Sequence, residues 1–143
     1  MAIITLTTDM GTKDHYVAVV KAAIMQQEPS ALVVDITHEV RPFHTAMAAH
    51  VARNAFPAFP AGSIHIIGVN PEADAITAHV VARHEGHHFI TADNGILPLA
   101  FEGRPYEAFE LTMKLDDHHA AFPTRSVFVK AACHLARGGT AET

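Results

Sequence analysis

The chain has no tryptophan, one cysteine and two tyrosines among its 143 residues. The lone thiol, Cys133, closes no disulfide within the chain, so the core must hold the fold and a reducing compartment, the cytoplasm, is the expected setting. Long apolar runs are missing as well. Asp9, Lys13 and Asp14 interrupt the N-terminal segment, and no stretch approaches the ~20 apolar residues that span a bilayer. Neither a signal peptide, a membrane anchor nor a membrane partner is expected. Charge is sparse, at 17%, and positive charge more so: 10 Lys and Arg against 15 Asp and Glu give a formal net charge of −5. Without a basic stripe, a nucleic-acid partner is excluded from the expectations. A phosphate cradle is missing too, since neither G-x-G-x-x-G nor a P-loop lysine motif occurs.

What is present suits a folded domain. The composition is 49% hydrophobic, and a chain of this length forms one domain that buries about two-thirds of its unfolded surface. Histidine is the exception, with 12 copies. Imidazole titrates near neutrality, so the charge should move strongly between roughly pH 5 and 7, and so many imidazoles raise the question of a metal.

The pattern along the chain opens as β-α-β-α-β. Ile3-Ile4-Thr5-Leu6-Thr7-Thr8 reads as a strand stopped by Asp9-Met10-Gly11. From Asp14 the apolar spacing turns helical, with Val17, Val20 and Ile24 on one face and Pro29 closing the segment. Residues 31–37 form a buried-type strand, 46–54 a second helix, and 63–69 a third strand. In the second half, strands are expected at 77–83 and 87–91 around His84-Glu85-Gly86, and again near 97–101 and 107–112. A last helix over 126–136 places Phe128, Ala131 and Leu135 on one face and stops at Gly138-Gly139. The predicted class is a three-layer α-β-α domain, α/β, with a central mixed, largely parallel sheet. Such sheets bind ligands at the carboxyl ends of their strands, where Asp9, Asp35 and Asn70 fall.

Two histidine clusters invite a metal reading. His84-Glu85-Gly86-His87-His88 spells H-E-x-x-H, which chelates zinc only where a helix puts both imidazoles on one face. The flanks here are strand-like and Gly86 favours a turn, so a hairpin is expected instead. Asp116-Asp117-His118-His119 reads as a polar loop. No metal site is expected. Asp9, on a Gly-containing turn between a strand and a helix, is placed to accept hydrogen bonds from ribose hydroxyls. Capping of the first helix by Asp9 or Asp14 is the alternative.

Four segments occur in a telling order: Thr7-Thr8-Asp9-Met10-Gly11; Val34-Asp35-Ile36-Thr37-His38-Glu39-Val40 with Pro42-Phe43; Phe59-Pro60-Ala61-Gly62-Ser63-Ile64-His65; and Ala92-Asp93-Asn94-Gly95-Ile96-Leu97. With Arg125 and residues 128–136, they resemble the N-terminal domain of the S-adenosyl-L-methionine (SAM) hydroxide adenosyltransferases, a family that includes the SAM-dependent fluorinases and chlorinases. The resemblance covers nearly all of residues 1–143.

The resemblance implies displacement at the 5′-carbon of SAM by water or hydroxide, giving adenosine and L-methionine. SAM is then substrate, and no cofactor is expected. Asp9 with Met10 would hold the ribose hydroxyls, Asp14 the methionine ammonium, Phe43 would pack on the substrate, and Phe122 would wall the nucleophile pocket. Where the family's hydrolases carry Asp, Arg and His beside the water, this chain has Asn70, Thr77 and Pro123. Thr124 falls at the small hydroxyl position of the halogenases. Asn70, Thr77 and Thr124 are therefore the candidate catalytic positions, with a chlorinase-type enzyme or a SAM- or adenosine-binding module without turnover as the alternatives. The resemblance also implies a homotrimer and a β-rich C-terminal domain, which is expected to be absent from this chain.

Overall fold

A computed structural model describes residues 2–42, 44–69, 79–110 and 128–139. They form six strands and four α-helices: β1 (Ile3–Thr8), α1 (Tyr16–Gln27), β2 (Leu32–Thr37), α2 (Thr45–Ala55), β3 (Ile64–Gly68), β4 (His79–His84), β5 (His87–Ala92), α3 (Ile96–Phe101), β6 (Glu107–Glu110) and α4 (Val129–Ala136). A single 3-10 turn, Phe56–Ala58, follows α2.

The strands make one sheet in the order β2-β1-β3-β5-β4-β6. β1 runs parallel to β2 and β3, and β3 parallel to β5; β4 alone opposes its neighbours. Alternation along the strands feeds two cores, one per face. Ile4, Leu6, Ile64, Ile66, Val81 and Ile90 pack with α1 and α4. On the other face Ile67, Val69, Val80, Ala82 and Phe89 pack with α2 and α3. The three-layer α-β-α architecture with a mixed sheet is therefore the one the sequence predicts. β3 is buried from Ile64 to Gly68 because helices cover both its faces.

One element differs in kind. Residues 97–101, expected as a strand, lie in the short helix α3. Gly95, at φ 92°, turns the chain into it. Ile96, Leu97, Ala100 and Phe101 are buried while Leu99 is half-exposed, which is a helical rather than a two-residue period. Pro98 sits in the first turn, where its missing N–H leaves no bond unmade. The last helix begins at Val129 rather than 126, with Phe128 at its N-cap and residues 126–127 outside those described.

Candidate functional site

The connection β1-α1-β2 lies on one face of the sheet and β2-α2-β3 on the other, so the chain reverses direction across the sheet between β1 and β3. The carboxyl ends of these two strands flank the crevice that such a reversal opens, and open α/β sheets bind ligands there. At this end stand Asp9-Met10-Gly11 after β1, His38-Glu39-Val40 after β2, Val69 after β3, and Asp93-Asn94 after β5.

The turn after β1 is tied down on several sides. Gly11 takes φ 75°, a conformation costly for any residue with a Cβ, and its N–H donates to the His38 carbonyl at 2.6 Å. The Val40 N–H donates to the Thr8 carbonyl at 3.3 Å. The Thr12 hydroxyl donates to Glu39 Oε1 at 3.1 Å, joining the two loops through side chains as well. Asp9 is half-buried on this turn, and the Met10 side chain packs against the α1/α4 core. Across the crevice, the Asn94 amide donates to the Val69 carbonyl at 3.2 Å, bracing the end of β3.

Asp14 is exposed, and its carboxylate accepts the Tyr16 N–H at 3.2 Å at the entry to α1. It thus supplies an acceptor that His15, the N-cap residue, does not. Capping of the first helix by Asp14 is realised. Asp9, Met10 and Asp14 are brought to one end of the sheet. Phe43, Asn70, Thr77, Phe122, Pro123 and Thr124 lie outside the described residues.

Asp35 was expected at the ligand end of the sheet, but Thr8, Lys21 and His38 were not expected as parts of the site, and the four form a connected chain behind the turn. Lys21 Nζ donates to Asp35 Oδ2 at 2.5 Å. His38 Nε2 lies 2.8 Å from Asp35 Oδ1, and His38 Nδ1 lies 2.7 Å from Thr8 Oγ1. Burial works to raise the Asp35 pKa, but the bonds from Lys21 and His38 outweigh it and hold the carboxyl below its usual value. The available signal was the three-residue step from Asp35 to His38 at the end of an apolar strand.

The histidine clusters resolve differently. His84-Glu85-Gly86-His87 is the β4-β5 hairpin, with Glu85 and Gly86 at φ 49° and 81°. His84 pairs with His87 and Arg83 with His88, so His84 and His88 face opposite sides of the sheet. The two imidazoles of the H-E-x-x-H string therefore cannot share one ion. This hairpin sits at the end of the sheet opposite Asp9, beside a cavity of about 390 Å³ lined by Arg83, His84, Glu85, Tyr106 and Glu107. Asp116 to His119 lie outside the described residues. Among the described residues no helix is long and apolar enough to cross a membrane.

A mixed sheet covered by helices, with a glycine-turned carboxylate at its strand reversal and no phosphate cradle in the first βα turn, places the chain among the open α/β domains that bind ligands at the carboxyl ends of their strands. The chain belongs to the SAM hydroxide adenosyltransferase family, whose N-terminal domain model matches residues 4–143. Among its relatives, the (R)-S-adenosyl-L-methionine hydrolase of Thermus thermophilus is 33% identical over 142 residues, 92% of this chain and 55% of the relative. The hydrolase of the same name from Methanocaldococcus jannaschii is 33% identical over 105 residues, 70% of this chain and 40% of the relative. A crystal structure of a conserved protein from Thermotoga maritima superposes with a TM-score of 0.87 at 33% identity, covering 97% of this chain and 56% of that one. The chain thus spans about half the length of the relatives it matches.

Proposed function

We propose that this chain is the SAM-binding half of a SAM hydrolase, in which water or hydroxide attacks the 5′-carbon and L-methionine departs, leaving adenosine. The observation that carries this reading is the placement of Asp9 on the Gly11 turn at the β1/β3 reversal, in a chain whose relatives are named SAM hydrolases. In the displacement a C–O bond forms as the C–S bond breaks, and the sulfonium leaves as a neutral thioether. The leaving group needs no proton, so the site's work is alignment of nucleophile, carbon and sulfur, and removal of water from an anion. Asp9 accepts hydrogen bonds from the ribose hydroxyls, with Met10 beside it. Asp14, at the mouth of the turn, pairs with the methionine ammonium. Phe43 and Phe122 enclose the substrate, and Asn70, Thr77 and Thr124 border the nucleophile. The assembly is a homotrimer working in the cytoplasm, with no cofactor.

Asn70, Thr77 and Pro123 favour a second reading, binding without turnover, because none of these side chains removes a proton from water at neutral pH. Incubation with SAM, with and without chloride, followed by chromatography separates the readings. Adenosine and methionine are the expected products. 5′-Chloroadenosine would redirect the assignment to halogenation through Thr124. Intact SAM despite measurable binding would leave the binding module.

A further inference from the structure

His38 is 4% exposed and uses both ring nitrogens, one toward Asp35 and one toward Thr8. The direction of every proton in this chain follows from the partners. Asp35 is a carboxylate, which only accepts, and it takes Lys21 on one oxygen. His38 Nε2 must therefore carry the hydrogen shared with Asp35 Oδ1. In a neutral imidazole that leaves Nδ1 as a lone pair, so the Thr8 hydroxyl donates to it across 2.7 Å. The Thr8 oxygen then turns its own lone pairs toward the Met10 N–H, 3.3 Å away. An imidazolium breaks this order: Nδ1–H would occupy the Thr8 oxygen, and the hydroxyl hydrogen, on a residue with no exposed surface, would have no acceptor among its partners.

We infer that His38 is a positioning residue: with Asp35 and Lys21 behind it, its neutral Nε2–H form fixes the Thr8 hydroxyl, which in turn fixes the Met10 amide and the turn that presents Asp9. Hydroxyl, imidazole and carboxylate stand in the order of a nucleophile, its base and the group orienting that base. Complete burial removes Thr8 from the nucleophile's part and leaves the chain of bonds as a brace. The brace joins three elements far apart in sequence, α1 through Lys21, β2 through Asp35 and β1 through Thr8. It acts on the one turn where the backbone must hold a positive φ next to the ligand-binding carboxylate. The ligand side of the inference rests on the reading of Asp9 as the ribose anchor.

The test pairs a spectroscopic readout with two variants of near-equal shape, Thr8→Val and Thr8→Ser. In histidine-¹⁵N-labelled protein at pH 7.5, His38 is expected as the neutral Nε2–H tautomer. An Nδ1–H tautomer or an imidazolium overturns the proton order. Thr8→Val should accelerate hydrogen exchange of the Met10 amide and weaken SAM binding about 5-fold, with Thr8→Ser restoring both. Unchanged exchange in Thr8→Val overturns the brace, and altered exchange with unchanged SAM affinity overturns its role in binding. Failure of the unaltered protein to bind SAM counts against the functional reading and against a binding role for the brace. The tautomer and the Met10 exchange still decide whether the brace holds the turn. A thermal unfolding midpoint for each variant separates these effects from loss of the fold.

Discussion

Acidification from pH 7.5 to 5 should cost this fold about 2 kcal/mol through a single imidazole, that of His65. His65 sits on β3 between Thr5 and Phe89, 3% exposed, with Nδ1 2.7 Å from Thr5 Oγ1 and Nε2 3.0 Å from His87 Nδ1. Its ring stacks on Phe89, with centroids 5.0 Å apart. Burial, with a smaller push from His87, lowers its pKa from 6.5 to about 3. A histidine depressed in the folded state binds protons more readily when unfolded. Its stabilisation is therefore whole above about pH 6.5 and is lost as pH falls toward about 3. At pH 5 the unfolded imidazole is favoured by protonation about 33-fold and the folded one hardly at all, which is about 2 kcal/mol; at pH 4 the loss reaches about 3 kcal/mol. Burial lowers His87 as well, opposed by Glu85 and reinforced by His84 and His88, so it adds in the same direction.

The assay is urea unfolding followed by far-ultraviolet circular dichroism, since the chain has no tryptophan to report by fluorescence. The comparison is Thr5→Val/His65→Leu, which replaces both partners of the Thr5 bond by apolar groups of similar size. The unaltered protein should lose about 2 kcal/mol more than this variant between pH 7.5 and 5. An equal loss in both, within about 0.5 kcal/mol, would refute the assignment of acid sensitivity to His65.

Asp9→Ala should weaken SAM binding at least about tenfold, through a lost charge-assisted hydrogen bond of about 1.5–3 kcal/mol; unchanged affinity by calorimetry removes Asp9 from the site. Gly11→Ala meets no atom within 4 Å but must hold φ 75°, so a stability loss of about 1 kcal/mol is expected in denaturant titrations, and a neutral result would mean that the turn relaxes. Phe89→Ala removes a fully buried ring from the group it forms with Phe56, Phe101 and His65 and should cost about 3–5 kcal/mol, visible as a lower unfolding midpoint. Lys21→Met should cost at most about 1 kcal/mol of stability, because Lys21 and Asp35 are 38% and 40% exposed and water screens the pair.

The alternating opening of β1, the helical spacing of Val20 and Ile24, and the apolar run of β3 are local patterns, and the structure realises each near its expected bounds. The same holds for the hairpin around Glu85-Gly86, where turn chemistry outweighed a motif that needs a helix. Residues 97–101 went astray because a five-residue apolar run carries too little period to separate strand from helix, and only packing against α2 and β5 chose between them. At the candidate site, the place of Asp9 on a strand-to-helix turn was legible from the local pattern. His38 was not, since its partner Thr8 is 30 residues away.

The sequence by itself determined the order of elements apart from α3, and the family, because backbone period and short motifs are properties of neighbours along the chain. The apolar run of 31–37 reads as a buried strand, yet β2 lies at the sheet edge with Leu32 exposed, because burial depends on what lies beside a strand. Tertiary structure alone decided that Lys21, Asp35, His38 and Thr8 form one line of bonds behind Asp9, and that His65 and His87 meet in the opposite layer from α1. Those meetings depend on β2 and β3 lying on either side of β1 and on β5 joining β3, an order of strands that no local period encodes.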